Sequence, residues 1–478
     1  MIIPKPSKIQ ESKEKLIQGQ NFYIETLGCQ MNFSDTEIIH ALLKEEGMIP
    51  VKKAEQAEWI FLNTCSIRDK AEQTARNKIL NYQTLKRRKK SKLSIGVLGC
   101  MAERLKKQFL EEEKIIDLVV GPDAYKSLPE LMERADQGNK VVNTLLSREE
   151  TYDDILPIRY QTNGVSAFIS IMRGCDNMCS FCVVPFTRGR ERSRSPYSIL
   201  REMSILYEEG YREVTLLGQN VDSYLWSDKE NNKSRVLNYT DLQDRIPFAQ
   251  LLNMIAQKYP SMRIRFSTSH PKDITQDVLY AMKYNPNIAR HIHLPVQSGS
   301  TTVLSRMKRG YTREEYLDKI YDIRKILGDS CAISSDIMTG FCGETQKEHQ
   351  DTIDIMKEVK YDHAYMFTYS ERPGTLAQRK YKDDITQEIK KQRLQEIIQL
   401  QQEHAKERNL LERNTIQNIL IEGDSKRSAQ EWQGRNTGNK MVVFPKDKTH
   451  KLKPGDIIKV RITDCTSATL KGEWVEKE

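Results

Sequence analysis

The sequence predicts an α/β protein built from an N-terminal parallel α/β sheet domain, a central partial (β/α)6 barrel and a small C-terminal β-barrel. Three observations lead to this prediction. The chain has 478 residues, more than one hydrophobic core ordinarily organises. Short apolar runs alternate with amphipathic helical stretches through most of it, a pattern typical of parallel sheets. After residue 413 the helical spacing stops, and short β-type runs alternate with turns.

The composition favours a soluble protein of the cytoplasm. Charged residues make up 29% of the chain and apolar residues 38%, with no apolar run long enough to span a bilayer. We find no secretory signal at the N-terminus. The nine cysteines should then be reduced, so clustered cysteines predict metal ligands rather than disulfides. The net charge of +9 is a weak indication of a polyanionic partner.

The predicted N-terminal domain, residues 21–145, follows a predicted flexible extension, residues 1–20. Three of its apolar runs end in a small residue and a cysteine, and a helical stretch follows each run. These runs are residues 22–29, 59–65 and 94–100. Because the carboxyl ends of parallel strands line one edge, Cys29, Cys65 and Cys100 are expected at one rim. A lone cysteine is usually a buried core residue, but three at the same structural position indicate a cluster site with three protein ligands.

The predicted second domain, residues 160–400, contains six strand-like runs separated by helical stretches. These runs are residues 168–172, 214–217, 263–267, 291–294, 333–338 and 364–368. Six strand–helix units predict a partial barrel related to the eight-unit form. We place the domain boundary near residue 150 and expect a long helix, residues 383–413, to lead to the last domain.

A cysteine-rich loop follows the first strand of this barrel. Cys175, Cys179 and Cys182 have the spacing C-x3-C-x2-C, and thiolates bunched in this way favour zinc or an iron–sulfur cluster. A closed zinc site normally takes four protein ligands, and no fourth cysteine or histidine lies nearby in the sequence. The spacing therefore favours a four-iron cluster with one iron open to a substrate, and structural zinc is the alternative.

The predicted third domain, residues 413–477, is a small β-barrel. Its β-type runs are residues 416–422, 440–444, 457–463 and 470–474. From Arg413 to Glu478 there are 13 Lys and Arg against 9 Asp and Glu, a net charge of +4. Small basic barrels often bind RNA, and a generic docking module is the alternative.

Several motifs resemble those of the radical S-adenosylmethionine (SAM) methylthiotransferases, and the resemblance covers almost the whole chain. The motifs are residues 172–177, 184–191, 217–220, 293–300 and 306–311. The family also has the same order of parts: a three-cysteine domain, a radical SAM barrel and an RNA-binding β-barrel called TRAM. Within the family, the motifs are most similar to the branch that modifies tRNA.

The resemblance implies a transferase that places a methylthio group on C2 of an isopentenylated adenosine beside the tRNA anticodon. It implies two [4Fe–4S] clusters and two SAM molecules. The cluster on Cys175, Cys179 and Cys182 would bind and cleave SAM, while the cluster at the N-terminal rim would hold the sulfur. The six cysteines are thus the implied catalytic residues. The implied partners are the tRNA anticodon stem-loop and an electron donor such as a flavodoxin or ferredoxin. We expect a monomer with no membrane partner.

Three further residues are candidate contacts to SAM. Gln219 lies at the end of the second barrel strand, where many radical SAM enzymes place Gly-Glu-Glu, and its amide oxygen can accept a hydrogen bond from the SAM amino group. Gln297 and Asp336 lie near the ends of the fourth and fifth strands. Each could equally be a buried polar residue satisfied by the protein itself.

Other functions fit parts of the pattern. A sister enzyme that methylthiolates an aspartate of a ribosomal protein shares both cysteine patterns, although Asp176-Asn177 and Gly218-Gln219-Asn220 resemble the tRNA branch more closely. Another candidate acts on threonylcarbamoyladenosine in tRNA. A protein of a different class would bind RNA and use its clusters only for stability. Reductive cleavage of SAM distinguishes an enzyme from that scaffold.

Overall fold

The computed structural model describes residues 17–66, 69–89, 92–160, 162–228, 245–446 and 451–475. The chain forms two compact units, Met1–Leu146 and Ser147–Glu478. Most of the expected flexible extension lies outside the described residues. Its last four residues belong to the folded unit, because Ile17 is fully buried and the Gly19 amide donates to the Gly47 carbonyl at 3.0 Å.

The first unit contains one six-stranded sheet in which every pair of neighbours is parallel. Its strands are β1 (Asn21–Thr26), β2 (Ile49–Pro50), β3 (Trp59–Thr64), β4 (Ser94–Gly99), β5 (Leu118–Val120) and β6 (Val141–Asn143). Its helices are α1 (Gln30–Glu45), α2 (Asp69–Arg88), α3 (Cys100–Glu112) and α4 (Leu128–Asp136). The strand order is β2-β1-β3-β4-β5-β6. Every residue of β3 and β4 is buried, as expected for central parallel strands with both faces covered.

The second unit begins with the barrel part. Its strands are β7 (Ser166–Ser170), β8 (Met172–Arg173), β9 (Arg192–Ser193), β10 (Glu213–Leu217), β11 (Leu225–Ser227), β12 (Arg245–Pro247), β13 (Arg263–Phe266), β14 (His291–His293), β15 (Ala332–Thr339) and β16 (His363–Thr368). Its helices are α5 (Val184–Thr187), α6 (Pro196–Glu208), α7 (Phe248–Lys258), α8 (Gln276–Tyr284), α9 (Thr301–Arg306), α10 (Arg313–Leu327), α11 (Gln346–Val359), α12 (Leu376–Lys380) and α13 (Gln387–Leu410).

Six of these strands form the predicted partial barrel, in the order β7-β10-β13-β14-β15-β16. They make two parallel three-stranded sheets, which a parallel bridge between Ile264 and Ile288 connects. The outward side chains, such as Ile169, Val214 and Ile333, pack in the main apolar core under the helices. Because side chains alternate along a strand, their neighbours face the lumen, and many of these neighbours are polar.

The C-terminal part is a closed barrel, as predicted, in the order β17-β18-β19-β21-β20. Its strands are β17 (Ile416–Asp424), β18 (Glu431–Arg435), β19 (Met441–Pro445), β20 (Ile457–Cys465) and β21 (Leu470–Trp474). The sequence interpretation missed β18, whose residues Glu-Trp-Gln-Gly-Arg show no apolar alternation. Gly434 allows this strand to lie close to β17, since a Cβ there would be 2.0 Å from the Leu420 carbonyl oxygen.

The C-terminal barrel contacts the partial barrel at the amino ends of its strands. The Arg263 guanidinium donates to the carbonyl oxygens of Arg435 and Asn418, at 2.7 and 3.1 Å. Arg265 donates to the carbonyls of the loop that follows β18 and to the Glu213 carboxylate, at 2.8 Å from its Nε. The loop between β18 and β19 therefore covers this end of the barrel. Ligands must be accommodated at the other end, where the strands terminate.

Candidate active site

The cysteine loop runs between β8 and β9, two short antiparallel strands just beyond the end of β7. The Cys175 amide donates to the Gly189 carbonyl at 3.1 Å, and the Cys182 amide donates to the Cys179 carbonyl at 3.1 Å. Gly174 has a φ of +78°, and a Cβ there would lie 2.0 Å from the Arg190 carbonyl oxygen. Glycine is required at this position because the two sides of the loop approach so closely.

The three thiols of this loop influence one another. Cys175 and Cys179 are buried and Cys182 is half-buried. Burial and then the neighbouring Cys179 raise the pKa of Cys182 to about 12. The pKa of Cys175 is also raised, first by burial and then by Cys182. Thiols that burial has separated from water become thiolates when a bound metal supplies the positive charge that stabilises them.

No three Cys, His, Asp or Glu side chains converge on a single metal ion within the described part of the chain. A four-iron cluster does not need that convergence, because each thiolate binds a different iron atom. The three thiols of this loop are therefore suited to bind three different iron atoms of such a cluster.

A buried arginine that sequence reasoning missed contacts this loop. Arg309 Nη1 lies 3.2 Å from Cys179 Sγ, although the two residues are 130 positions apart in the chain. Arg309 belongs to one of the motifs that carried the family resemblance, but the motif gave no indication of its partner. Only the folded chain brings the two side chains together.

Unpaired polar atoms surround the carboxyl end of the barrel. Gln219 Oε1, Asn220 Oδ1 and Gln297 Oε1 are buried and have no hydrogen-bond partner among the described residues. A buried polar atom without a partner costs free energy, so such atoms in one region indicate where a polar ligand binds. Two of the three predicted SAM contacts, Gln219 and Gln297, therefore have the free acceptor that a cofactor amino group would need.

The backbone at Gln297 is strained, and β15 holds it in place. Its φ is +67°, in the left-handed region that a non-glycine residue seldom adopts. The Gln297 amide donates to the Asp336 carbonyl at 2.9 Å, and the Gln297 carbonyl accepts from the Met338 amide at 2.9 Å. Such strain is kept where the surrounding structure fixes it, often at ligand sites. The third predicted contact, Asp336, has its Oδ1 3.5 Å from His293 Nε2.

A second residue that sequence reasoning missed, Asp273, joins the cysteine loop to the end of β10. Its Oδ2 accepts hydrogen bonds from Asn177 Nδ2 at 3.1 Å and from Asn220 Nδ2 at 2.6 Å. Asn177 lies between two of the cysteines, and Asn220 follows Gln219. The Asp273 carboxylate therefore fixes the loop relative to the strand end that carries a candidate SAM contact.

The three N-terminal cysteines lie at the carboxyl ends of neighbouring strands, as the sequence predicts. A Cβ at Gly28 would lie 2.2 Å from Cys65 Cβ, so the end of β1 lies against the end of β3. A Cβ at Gly99 would lie 2.6 Å from the Thr64 carbonyl oxygen, so the end of β4 is equally close to β3 on its other side. Glycines beside Cys29 and Cys100 thus allow the three strand ends to approach one another.

Glu103 is a buried carboxylate one helical turn after Cys100. It is fully buried, and neither carboxylate oxygen has a hydrogen-bond partner in the described ranges of the chain. Lys106 Nζ lies 3.7 Å from Oε1. Burial raises the pKa of Glu103 to about 7. Sequence reasoning missed this residue because a glutamate in a charged helix ordinarily faces solvent.

Three family models match successive parts of the chain. Residues 21–121 match the Uncharacterized protein family UPF0004, residues 169–356 match the Radical SAM superfamily, and residues 411–475 match the TRAM domain. Among solved structures, the chain is similar to the radical S-adenosylmethionine methyltransferase TsrM from Kitasatospora setae with cobalamin and [4Fe-4S] cluster bound. That match has a TM-score of 0.55 at 13% identity and covers 76% of this chain and 74% of the other, so it concerns the fold alone.

Curated relatives are similar over nearly the full length. A tRNA-2-methylthio-N(6)-dimethylallyladenosine synthase of Amoebophilus asiaticus is 58% identical over 95% of this chain and 92% of the relative. An enzyme of the same name from Christiangramia forsetii is 54% identical over 98% of this chain and 96% of the relative. With a radical SAM domain, a three-thiol loop suited to a cluster and this level of identity, the chain belongs to the tRNA-2-methylthio-N(6)-dimethylallyladenosine synthase family.

Proposed function

We propose that this enzyme methylthiolates C2 of N6-isopentenyladenosine beside the anticodon of tRNA, with two SAM molecules as co-substrates. One observation carries the proposal. The three-thiol loop and the buried acceptors of Gln219 and Gln297 lie at the same end of the barrel, in a chain 58% identical to a relative of that name. This end combines a cluster site with groups suited to hold a polar cofactor beside it.

In the proposed reaction Cys175, Cys179 and Cys182 hold a [4Fe–4S] cluster. Bound there, the cluster supplies the one-electron reduction of SAM, and thus the radical chemistry that an unactivated aromatic C–H bond requires. Gln219 and Gln297 orient SAM through their amide oxygens, which have no hydrogen-bond partner among the described residues. Asp336, whose carbonyl accepts from the Gln297 amide and so holds the two residues side by side, is the third proposed contact to SAM.

We further propose that Cys29, Cys65 and Cys100 hold a second [4Fe–4S] cluster that carries the sulfur. Close packing of the strand ends at Gly28 and Gly99 supports a shared site for the three thiols. If so, Cys65→Ala spares the formation of 5′-deoxyadenosine from SAM and stops methylthio transfer. Methylthiolated product from a Cys65→Ala enzyme at the wild-type rate would contradict the sulfur-carrier role.

The proposed partners of the enzyme are tRNA and an electron donor. The C-terminal barrel contributes affinity for the tRNA anticodon stem-loop, and a flavodoxin or ferredoxin supplies electrons. We propose a monomer that works in the cytoplasm, where thiols stay reduced. Within the described residues, no helix has both the length and the apolar character needed to cross a membrane. We propose the domain bounds 21–145, 160–400 and 413–477, which the three family-model matches support.

Substrate choice is tested with anticodon stem-loops that carry unmodified, isopentenylated or threonylcarbamoylated adenosine. Burial of the five-carbon isopentenyl group should contribute roughly 2–4 kcal/mol, or ~30-fold to several hundred-fold in kcat/KM over the unmodified stem-loop. Mass spectrometry of the digested nucleosides measures the product. Equal turnover of the unmodified and isopentenylated stem-loops would reject the assignment. Preference for the threonylcarbamoyl form would identify the sister activity instead, and SAM cleavage without product from any of them would favour a different acceptor.

A further inference from the structure

Arg309 is held by three different parts of the barrel. Its Nη1 lies 3.2 Å from Cys179 Sγ, and its Nη2 donates to the Pro295 carbonyl at 3.1 Å. Its Nε donates to the Tyr311 hydroxyl at 3.0 Å. That hydroxyl lies 3.1 Å from the same Pro295 oxygen, which accepts a hydrogen bond from it. The guanidinium therefore has one defined position between the cysteine loop and the chain that leads to Gln297.

This guanidinium is a buried cation without a carboxylate partner. Arg309 is only 7% exposed to solvent. No carboxylate in the described ranges forms an ion pair with it, and the groups that interact with it electrostatically include Tyr311, Cys179 and Cys182. A buried charge normally requires an opposite charge or several hydrogen bonds. The thiolate of Cys179 and the cluster bound to it would provide the negative charge that the protein side chains do not.

We propose that Arg309 is a positioning residue that raises the reduction potential of the SAM-binding cluster, an inference that rests on the cluster site of the proposed function. The reduced cluster carries one more negative charge than the oxidised one. A fixed positive charge and an N–H···S hydrogen bond stabilise the reduced form more, and both are known controls of cluster potential. The electron enters from the external protein donor and no bond forms or breaks at Arg309. The arginine makes the cluster easier to reduce before SAM is cleaved.

The geometry explains why an arginine suits this place. A planar guanidinium donates in several fixed directions at once, so it can bridge Cys179, Pro295 and Tyr311. Lysine would keep the charge and could not keep all three contacts. Glutamine would keep some hydrogen bonding and lose the charge. The two replacements therefore separate the charge from the geometry.

The experiment is a redox titration of the reconstituted full-length enzyme, followed by electron paramagnetic resonance. The signal that changes when SAM is added identifies the cluster of interest. For Arg309→Gln we expect the reduced-to-oxidised ratio at a fixed potential to fall about tenfold or more, which is a shift of about 59 mV for a one-electron couple. Arg309→Lys should lie between this variant and the wild type. Iron and sulfide content confirms that each variant holds its clusters.

Lys308→Gln is the matched control. Lys308 precedes Arg309 in the same motif and is exposed, so solvent and salt screen its charge, and we expect an unchanged potential. An Arg309→Gln enzyme that holds its full iron content and has the wild-type potential would overturn the inference, and Arg309 would then have only a structural role. If Arg309→Gln does not hold iron, Arg309→Met, which also removes the charge, takes its place, and a loaded Arg309→Met enzyme with the wild-type potential would overturn the inference equally. A wild-type enzyme without any SAM-responsive cluster would instead contradict the proposed function.

Discussion

Buried carboxylates at the two ends of the partial barrel have pKa values shifted in opposite directions. At the amino end, Asp362 lies 2.8 Å from Lys440 Nζ and 3.2 Å from Arg408 Nε. These cations lower its pKa although burial alone would raise it. At the carboxyl end, Asp222 accepts a hydrogen bond from the His270 amide at 3.1 Å and has no cationic partner among the described residues. Burial raises the pKa of Asp222 to about 7.

Within this one barrel, the amino end therefore contributes to stability and the carboxyl end to ligand binding. The amino end is sealed by the C-terminal barrel, and its charges are paired with one another or with carbonyl oxygens. The carboxyl end keeps buried polar atoms without protein partners, which is unfavourable in the absence of a ligand. We therefore expect substitutions of the paired charges at the amino end to destabilise the fold, and substitutions at the carboxyl end to weaken cofactor binding without a loss of stability.

Replacing Cys179 with alanine should abolish SAM cleavage, because the cluster loses one of its three protein ligands and its contact with Arg309. The protein should remain folded, and iron bound to the N-terminal unit should persist. Assays of 5′-deoxyadenosine and of iron content measure both effects. Cys465→Ala, which removes a half-buried thiol from the C-terminal barrel, is the control and should retain full cleavage. Loss of all iron from a folded Cys179→Ala protein would argue against two separate cluster sites.

Arg265→Ala should destabilise the second unit by about 3–5 kcal/mol, since it leaves the buried Glu213 carboxylate without its closest partner. Denaturant unfolding measures the loss. Iron content per folded molecule should stay normal because the substitution lies at the sealed end. A stable Arg265→Ala protein with weakened cluster binding would contradict the division between the two ends.

Deleting the whole C-terminal barrel is a poor test of tRNA binding, because the deletion would also expose Arg263 and Arg265 at the amino end of the partial barrel.

The carboxylate at Asp222 should make stability fall as the pH rises from about 4 to about 7. Its folded pKa of about 7 lies above its ordinary value of 3.8, so the folded state binds the proton more tightly in this window. The loss should be roughly 2–4 kcal/mol in total, with no further change from this group above pH 7. Asp222→Asn should flatten this part of the unfolding profile. An Asp222→Asn profile as steep as that of the wild type would assign the pH dependence to other groups.

Gln297→Ala should weaken SAM binding about tenfold, which corresponds to the loss of one hydrogen bond of ~1.4 kcal/mol. Stability should change little, because the side-chain oxygen of Gln297 has no hydrogen-bond partner among the described residues. Gln297→Gly is the companion variant, since glycine adopts the φ of +67° without strain and should be about 0.5–1 kcal/mol more stable than alanine there. Equilibrium binding of SAM to the reconstituted enzyme provides the measurement. Wild-type affinity in both variants would exclude Gln297 as a cofactor contact.

Lys459→Ala combined with Arg461→Ala should weaken tRNA binding without affecting the barrel. Both residues are exposed on one face of β20. If each contacts one phosphate, the slope of log affinity against log salt should become shallower by about 1.8 in the double variant. Lys347→Ala, an exposed charge on α11, is the control. An unchanged slope would place the RNA-binding surface elsewhere.

The sequence by itself determined the three-part α/β architecture, the six barrel strands and the two cysteine trios. These features depend on local patterns, namely apolar runs that alternate with helices and thiols at fixed spacing or at repeated strand ends. The missed strand β18 shows the limit of this approach, since its short polar sequence pairs only because Gly434 lets two strands approach.

Tertiary structure alone decided which side chains meet. Arg309 with Cys179, Asp273 with Asn177 and Asn220, and the arginines of β13 with the C-terminal barrel are far apart in sequence. No local pattern records such a pair, because each member is an ordinary polar residue until the fold buries it. Burial also gives Glu103 and Asp222 their raised pKa values, since the cost of a charge depends on the whole surrounding structure.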